Sequence, residues 1–144
     1  MTHYAVTLSD NAVTILQTVG DAKPEDCIAK WSEEARARVV SFKQIDPGII
    51  PQDRTFRVAW RFNGDAIDHD MTKARNIKRD QLRAERAPLL VALDIDYQRA
   101  DERGDASEKV RIAGRKQALR DATANPAIEA AQTPDELKAI RLGS

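Results

Sequence analysis

From Met71 to Ala122 the chain carries two consecutive helical periodicities with a boundary two residues wide, and so short a link dictates an antiparallel helical hairpin. The first run follows Asp70, whose carboxylate suits a helix N-terminus. Its apolar positions Ala74, Ile77, Leu82, Leu89, Leu93, Tyr97 and Ala100 recur mainly at steps of three, four and seven, which aligns them along one stripe. Gly104 offers the left-handed conformation that closes a helix, and Asp105-Ala-Ser-Glu108 has the capping-box spacing that opens the next. In that second helix Ala106, Val110 and Ala113 share one face while Ile112 and Leu119 lie on another. Pro88 falls inside the first run. An interior proline loses a hydrogen bond and clashes with the carbonyl four residues back, at a cost of about 3 kcal/mol, so a kink or break is expected between Ala84 and Pro88. Asn125-Pro126 then reads as a loop, and Thr133-Pro134-Asp135-Glu136 repeats the capping signature before a short last helix with Leu137 and Ile140 on its apolar side.

The N-terminal portion has a different period. Tyr4, Val6 and Leu8, then Val13 and Ile15, alternate with polar residues on either side of Ser-Asp-Asn, which predicts strands near 3–8 and 12–18 joined as a hairpin. Pro24 with acids in the following turn, and Cys27, Ile28 and Trp31 at helical spacing, predict a helix over about 24–34. Val39, Val40, Phe42 and Ile45 then form a third strand, which ends at the breaker-rich DPGIIP. The expected fold class is α+β: a ββαβ unit over 1–50, an aromatic joint and short β-hairpin over 51–70, and the helical hairpin with its terminal helix over 71–144.

Within the joint, Asp53 can cap a helical turn through Phe56, and Val58–Phe62 can pair with Asp65–His69 across Asn63-Gly64, a favoured two-residue hairpin turn. Phe56, Trp60 and Phe62 are the expected apolar anchors between the N-terminal unit and the hairpin; with Leu89, Leu93 and Tyr97 they form the candidate structural and interaction residues. The same stretch holds Asp68-His69-Asp70, the one dense cluster of potential metal ligands or acid/base groups. Neighbouring side chains on a strand point to opposite faces, so Asp68 and His69 diverge and Asp70 is left to start the helix. A structural use of the trio is therefore expected, with a metal-dependent enzyme centred on His69 as the remote alternative.

Other chemistry finds little support. The chain has one cysteine, Cys27, which excludes an intrachain disulfide and a multi-cysteine zinc site; its place beside Ile28 and Trp31 suggests a buried, inert thiol. There is no nucleophile elbow, and the six glycines assemble into no phosphate loop. His3 gains no partner from spacing. No catalytic residue, cofactor or metal is assigned. With 23 basic and 23 acidic residues the net charge is zero, so attraction to nucleic acid or an anionic membrane must be local. The local candidate is the basic run Lys73, Arg75, Lys78, Arg79, Arg83 and Arg86, but no aromatic residues interleave it as they do in single-strand binders. Asp94, Asp96 and Asp101 instead offer carboxylates to Lys109, Arg111 and Lys116 or to another chain. No nucleic acid and no membrane partner is expected. The alternating N-terminus lacks the pattern of a secretory signal, and synthesis in the cytoplasm is the expectation.

Residues 50–142 resemble a known family. The order Asp53-Arg54-Thr55-Phe56-Arg57 followed by Trp60, then Ala92-Leu93-Asp94 with Tyr97-x-Arg99-Ala100, then Lys116-Gln-Ala-Leu-Arg-Asp121, is similar to small proteins encoded in the tail-fibre and baseplate region of tailed phages and prophages. The resemblance implies a non-enzymatic structural component of the virion tail, with other tail proteins and further copies of itself as partners; a tail or tail-fibre assembly chaperone that leaves before maturation is the alternative. It carries no catalytic residues to this chain. Members of that family have other polar residues where this chain has Asp68-His69-Asp70, which speaks against a metal role.

Overall fold

The structure is a computed structural model that describes residues 1–143. It is mixed α+β, with a small antiparallel sheet followed by a long helix and a helical hairpin, and it divides into two compact units at Asp70/Met71. The residues of the expected joint, 51–70, fall in the same unit as the N-terminal sheet.

In the first unit, strands β1 (Thr2–Leu8) and β2 (Val13–Thr18) pair antiparallel from Thr2↔Thr18 to Thr7↔Val13. The turn between them is built by side chain and backbone together: Asn11 takes a φ of 62°, a region Asn tolerates better than most residues, and the Ala12 N–H donates to Asp10 Oδ1 at 3.3 Å. The helix expected over 24–34 is two short ones, α1 (Pro24–Ile28) and α2 (Glu33–Ala37). The second start explains the division. Ser32 has an extended backbone, and its hydroxyl accepts from the Ala35 N–H at 3.2 Å, so it caps a new helix where a single one would have continued. Strand β3 (Val39–Ile45) then pairs antiparallel with β1, giving the order β2-β1-β3 with a register shift near Leu8.

Asp53 does not cap a helix. Its carboxylate accepts from the backbone N–H (2.9 Å) and hydroxyl (2.6 Å) of Thr55, an Asx turn, and a 3-10 turn follows at Arg57–Ala59. Strands β4 (Trp60–Phe62) and β5 (Ile67–His69) pair as Trp60↔His69, Arg61↔Asp68 and Phe62↔Ile67. This register differs from one with Asn63-Gly64 at the centre of the turn. Asn63 stands one place earlier because its side-chain oxygen accepts from the N–H groups of Asp65 (3.0 Å) and Ala66 (2.9 Å), which leaves Gly64, at a φ of 104°, as the first central residue. Ala5, Val13, Ile45 and Trp60 are buried together, with Ile15, Phe62 and Ile67 packed around them. Trp60 and Phe62 thus complete the core of the sheet unit.

In the second unit α3 runs unbroken from Met71 to Glu102, through Pro88. No break occurs because Pro88 and Ala84, whose carbonyl loses its donor, are both on the exposed side, where water can serve the carbonyl. Helix α4 (Ala106–Asp121) starts as its sequence requires: Gly104 has a φ of 66°, and the Asp105 carboxylate accepts from the Glu108 N–H at 3.0 Å. The two helices pack through Leu93, Ala100 and Ile112, with Leu119 beside them. Val110 is left 74% exposed, so the Ile112/Leu119 face is the one that meets α3. After a 3-10 turn at Ala122–Ala124, Asn125-Pro126 does not form a loop: Asn125 accepts from the Ala127 N–H at 3.0 Å and caps α5 (Pro126–Ala130). Thr133 caps α6 (Pro134–Lys138) in the same way, and Glu136 reaches back to the Gln132 N–H at 2.6 Å. Both short helices lie on α3, and Ile128 and Leu137 are fully buried.

Replacing Trp60 with Ala empties a site that is 5% exposed, and about 3–5 kcal/mol of stability is expected to be lost. The half-buried His69, opposite it in the ladder, should cost within about 1 kcal/mol on replacement by Ala. Urea unfolding followed by far-UV circular dichroism compares the two; equal losses would contradict this packing.

Candidate functional site

Residues 68–70 separate along the chain as adjacent strand residues must. Asp68 pairs across the ladder with Arg61 at 2.8 Å, and that hydrogen bond raises the guanidinium's pKa above its ordinary value. His69 lies in β5 opposite Trp60, and the Asp70 N–H donates to the Ala59 carbonyl at 2.7 Å. Among the described residues, no three His, Cys, Asp or Glu side chains come together as metal ligands would. His3 does have a partner, Gln17, at 2.9 Å; it borders an open cavity of about 480 Å³ with Gln44 and Asp46. Cys27 is half-buried on α1.

The basic run on α3 turns to its own unit. Arg86 donates to the carbonyls of Arg120 (2.7 Å) and Leu119 (3.2 Å), where the last turn of α4 exposes acceptors and its dipole favours a cation. Arg75 donates to the Ala131 carbonyl at the end of α5 (2.8 Å), Arg79 pairs with Glu129, and Arg83 pairs with Asp80 at 2.6 Å. Farther along, Lys109 binds Asp101 at 2.7 Å and Lys116 binds Asp94. Both ammonium groups lie over the Tyr97 ring, at 5.9 and 5.7 Å from its centroid. Asp94 and Asp101 therefore meet α4, one of the two arrangements their sequence allowed, whereas Asp96 stands 3.9 Å from Arg99 on its own helix and Arg111 pairs with Glu108. The bond to Asp101 raises the pKa of Lys109 above the usual lysine range.

The candidate interaction residues fall in different places. Phe56 and Trp60 are buried and Phe62 is half-buried; Leu93 is buried against α4; Leu89 (46% exposed) and Tyr97 (36%) sit at the surface. Their spacing placed all three α3 residues on one stripe, but α4 is too narrow to cover its full width. On the far side of α3, Ala84, Pro88, Val91 and Ile95 are exposed and follow one another at steps of four, three and four. At 3.6 residues per turn these make a second apolar line about half a turn from Leu93 and Ala100. That second line was missed in the sequence, where Val91 and Ile95 look like gaps between the core positions and the aspartates. Comparison of the chain with protein-family models, with curated proteins and with solved structures gives no match.

Lys78 is 5% exposed, and burial lowers its pKa, countered in part by Glu85 and reinforced by Arg141. A lysine lowered on folding binds fewer protons in the native than in the unfolded state, so its penalty is full at neutral pH and fades as pH rises toward 10.5. Lys78→Met is accordingly expected to be more stable than the native chain at pH 7, with the difference shrinking toward pH 10.5. Parallel urea titrations check it; a difference that grows with pH would contradict it.

Proposed function

We propose that this chain is a non-enzymatic contact protein of the tail region of a tailed bacteriophage, a virion component of the tail tip, baseplate or tail-fibre attachment. Its localisation would be the virion, after synthesis in the host cytoplasm. The observation that carries the contact reading is the second apolar line of α3: Val91 is 60% and Ile95 45% exposed, flanked by Ala84 and Pro88, on a helix whose other side is already packed. An exposed line of that kind on a charged helix suits a neighbouring protein surface, either another tail protein or a further copy. The setting is supplied by the resemblance of residues 50–142. Among the described residues, no helix is long and apolar enough to cross a membrane.

Deleting the gene from a phage or prophage that encodes it tests this reading, together with mass spectrometry of purified wild-type particles. Particles without complete tails after deletion, and the chain present in wild-type particles, are expected. A tail defect with the chain missing from particles would give the assembly-chaperone alternative. Normal infectious particles without the gene would contradict both.

A further inference from the structure

The other unit has an exposed surface of its own, the edge strand β3. The order β2-β1-β3 leaves one side of β3 without a strand partner, and Val40 through Gln44 are all exposed. Proteins guard such edges with charge, proline, a bulge or a cover, because an open row of N–H and C=O groups templates pairing. Here the guards are missing or displaced. The strand contains no proline, and the register shift lies at its Val39 end, so the ladder from Ser41 to Ile45 is regular. Its one charged residue, Lys43, is held away on the face that carries Phe62: the ammonium donates to the Gly64 carbonyl at 2.6 Å, stands 3.9 Å from Asp65 and lies 6.0 Å from the Phe62 ring centroid. On the opposite face Phe42, 37% exposed, meets Tyr4 edge-on at 6.3 Å, and Val40 is 66% exposed.

We propose that β3 pairs antiparallel with β3 of a second copy about a two-fold axis through Phe42, joining the two sheets into one of six strands. A two-fold at the midpoint overlaps the whole strand, setting Val39 opposite Ile45, Val40 opposite Gln44 and Ser41 opposite Lys43. Lysine thus meets serine. An axis one residue later, at Lys43, would set lysine against lysine, a destabilising pair. Two copies of a chain with zero net charge also have no long-range repulsion to overcome. A rim of seven residues is roughly 24 Å long, small beside the surfaces of permanent dimers, about 2,000 Å² or more, so the pairing depends on concentration. This inference stands apart from the tail reading and holds whether or not the chain belongs to a virion.

Sedimentation equilibrium of the full chain over about 1–300 µM, a range chosen for weak association, tests it. The native chain is expected to dimerise. V40E/Q44E, which places like charges opposite each other at two points, should weaken the dimer at least about tenfold while keeping the native circular dichroism spectrum. V40K/Q44K should behave the same, and an equimolar mixture of the two variants should recover the dimer. V91E/I95E, altered only in the helical unit, should dimerise like the native chain. A native chain that stays monomeric throughout, a dimer that survives V40E/Q44E, a mixture that stays monomeric, or a dimer lost only in V91E/I95E would each overturn the proposal.

Discussion

The helical unit depends on the closure of α4 against α3 through Leu93, Ala100 and Ile112. Gly104 and Asp105 set it up by ending one helix and capping the next within a three-residue connection, 103–105, so the second helix runs back along the first. With that packing in place the other features follow. The proline penalty at Pro88 is borne by a helix anchored on both sides, at Leu82 and Leu93. The carbonyls at the end of α4 come within reach of Arg86, and the carboxylates of Asp94 and Asp101 come within reach of Lys116 and Lys109. The far side of α3 stays uncovered: Ala84, Pro88, Val91 and Ile95 are exposed about half a turn from the buried Leu82, Leu93 and Ala100.

Much of this was legible in the sequence, because strong local signals decided it. The alternation in 2–18, the N-caps Asp105 and Thr133 and the glycine at 104 each name one backbone state, and the structure adopts them; Glu108 itself pairs with Arg111, so the box at Asp105 is not closed. What was not legible turned on competition between two local options. Ser32 reads as a tolerable helix residue until its hydroxyl takes the Ala35 N–H, and Asn125-Pro126 reads as a loop until Asn125 caps a helix. Asn63 could sit in the turn or before it, and two hydrogen bonds to its side chain decided for the earlier place. Pro88 was a question of tertiary support and solvent access, which periodicity does not report.

The candidate site followed the same pattern. Strand alternation alone was enough to separate Asp68 from His69, and the ladder adds Arg61 as the partner of Asp68. The roles of Arg75 and Arg86 were hidden, because their acceptors are backbone carbonyls at helix ends that no residue type announces. Val91 and Ile95 were hidden too, since an apolar residue on a helix reads as core until the partner helix is known to be narrow.

The central claim is that function resides in the outer surface of α3 and not in a reactive group at His69. It is tested most directly by complementing a phage deleted for the gene with two variants, V91E/I95E and H69A, and counting infectious particles. H69A should restore the yield, and V91E/I95E should fail to restore it while the purified variant keeps the native fold. Restoration by V91E/I95E together with failure of H69A would contradict the account.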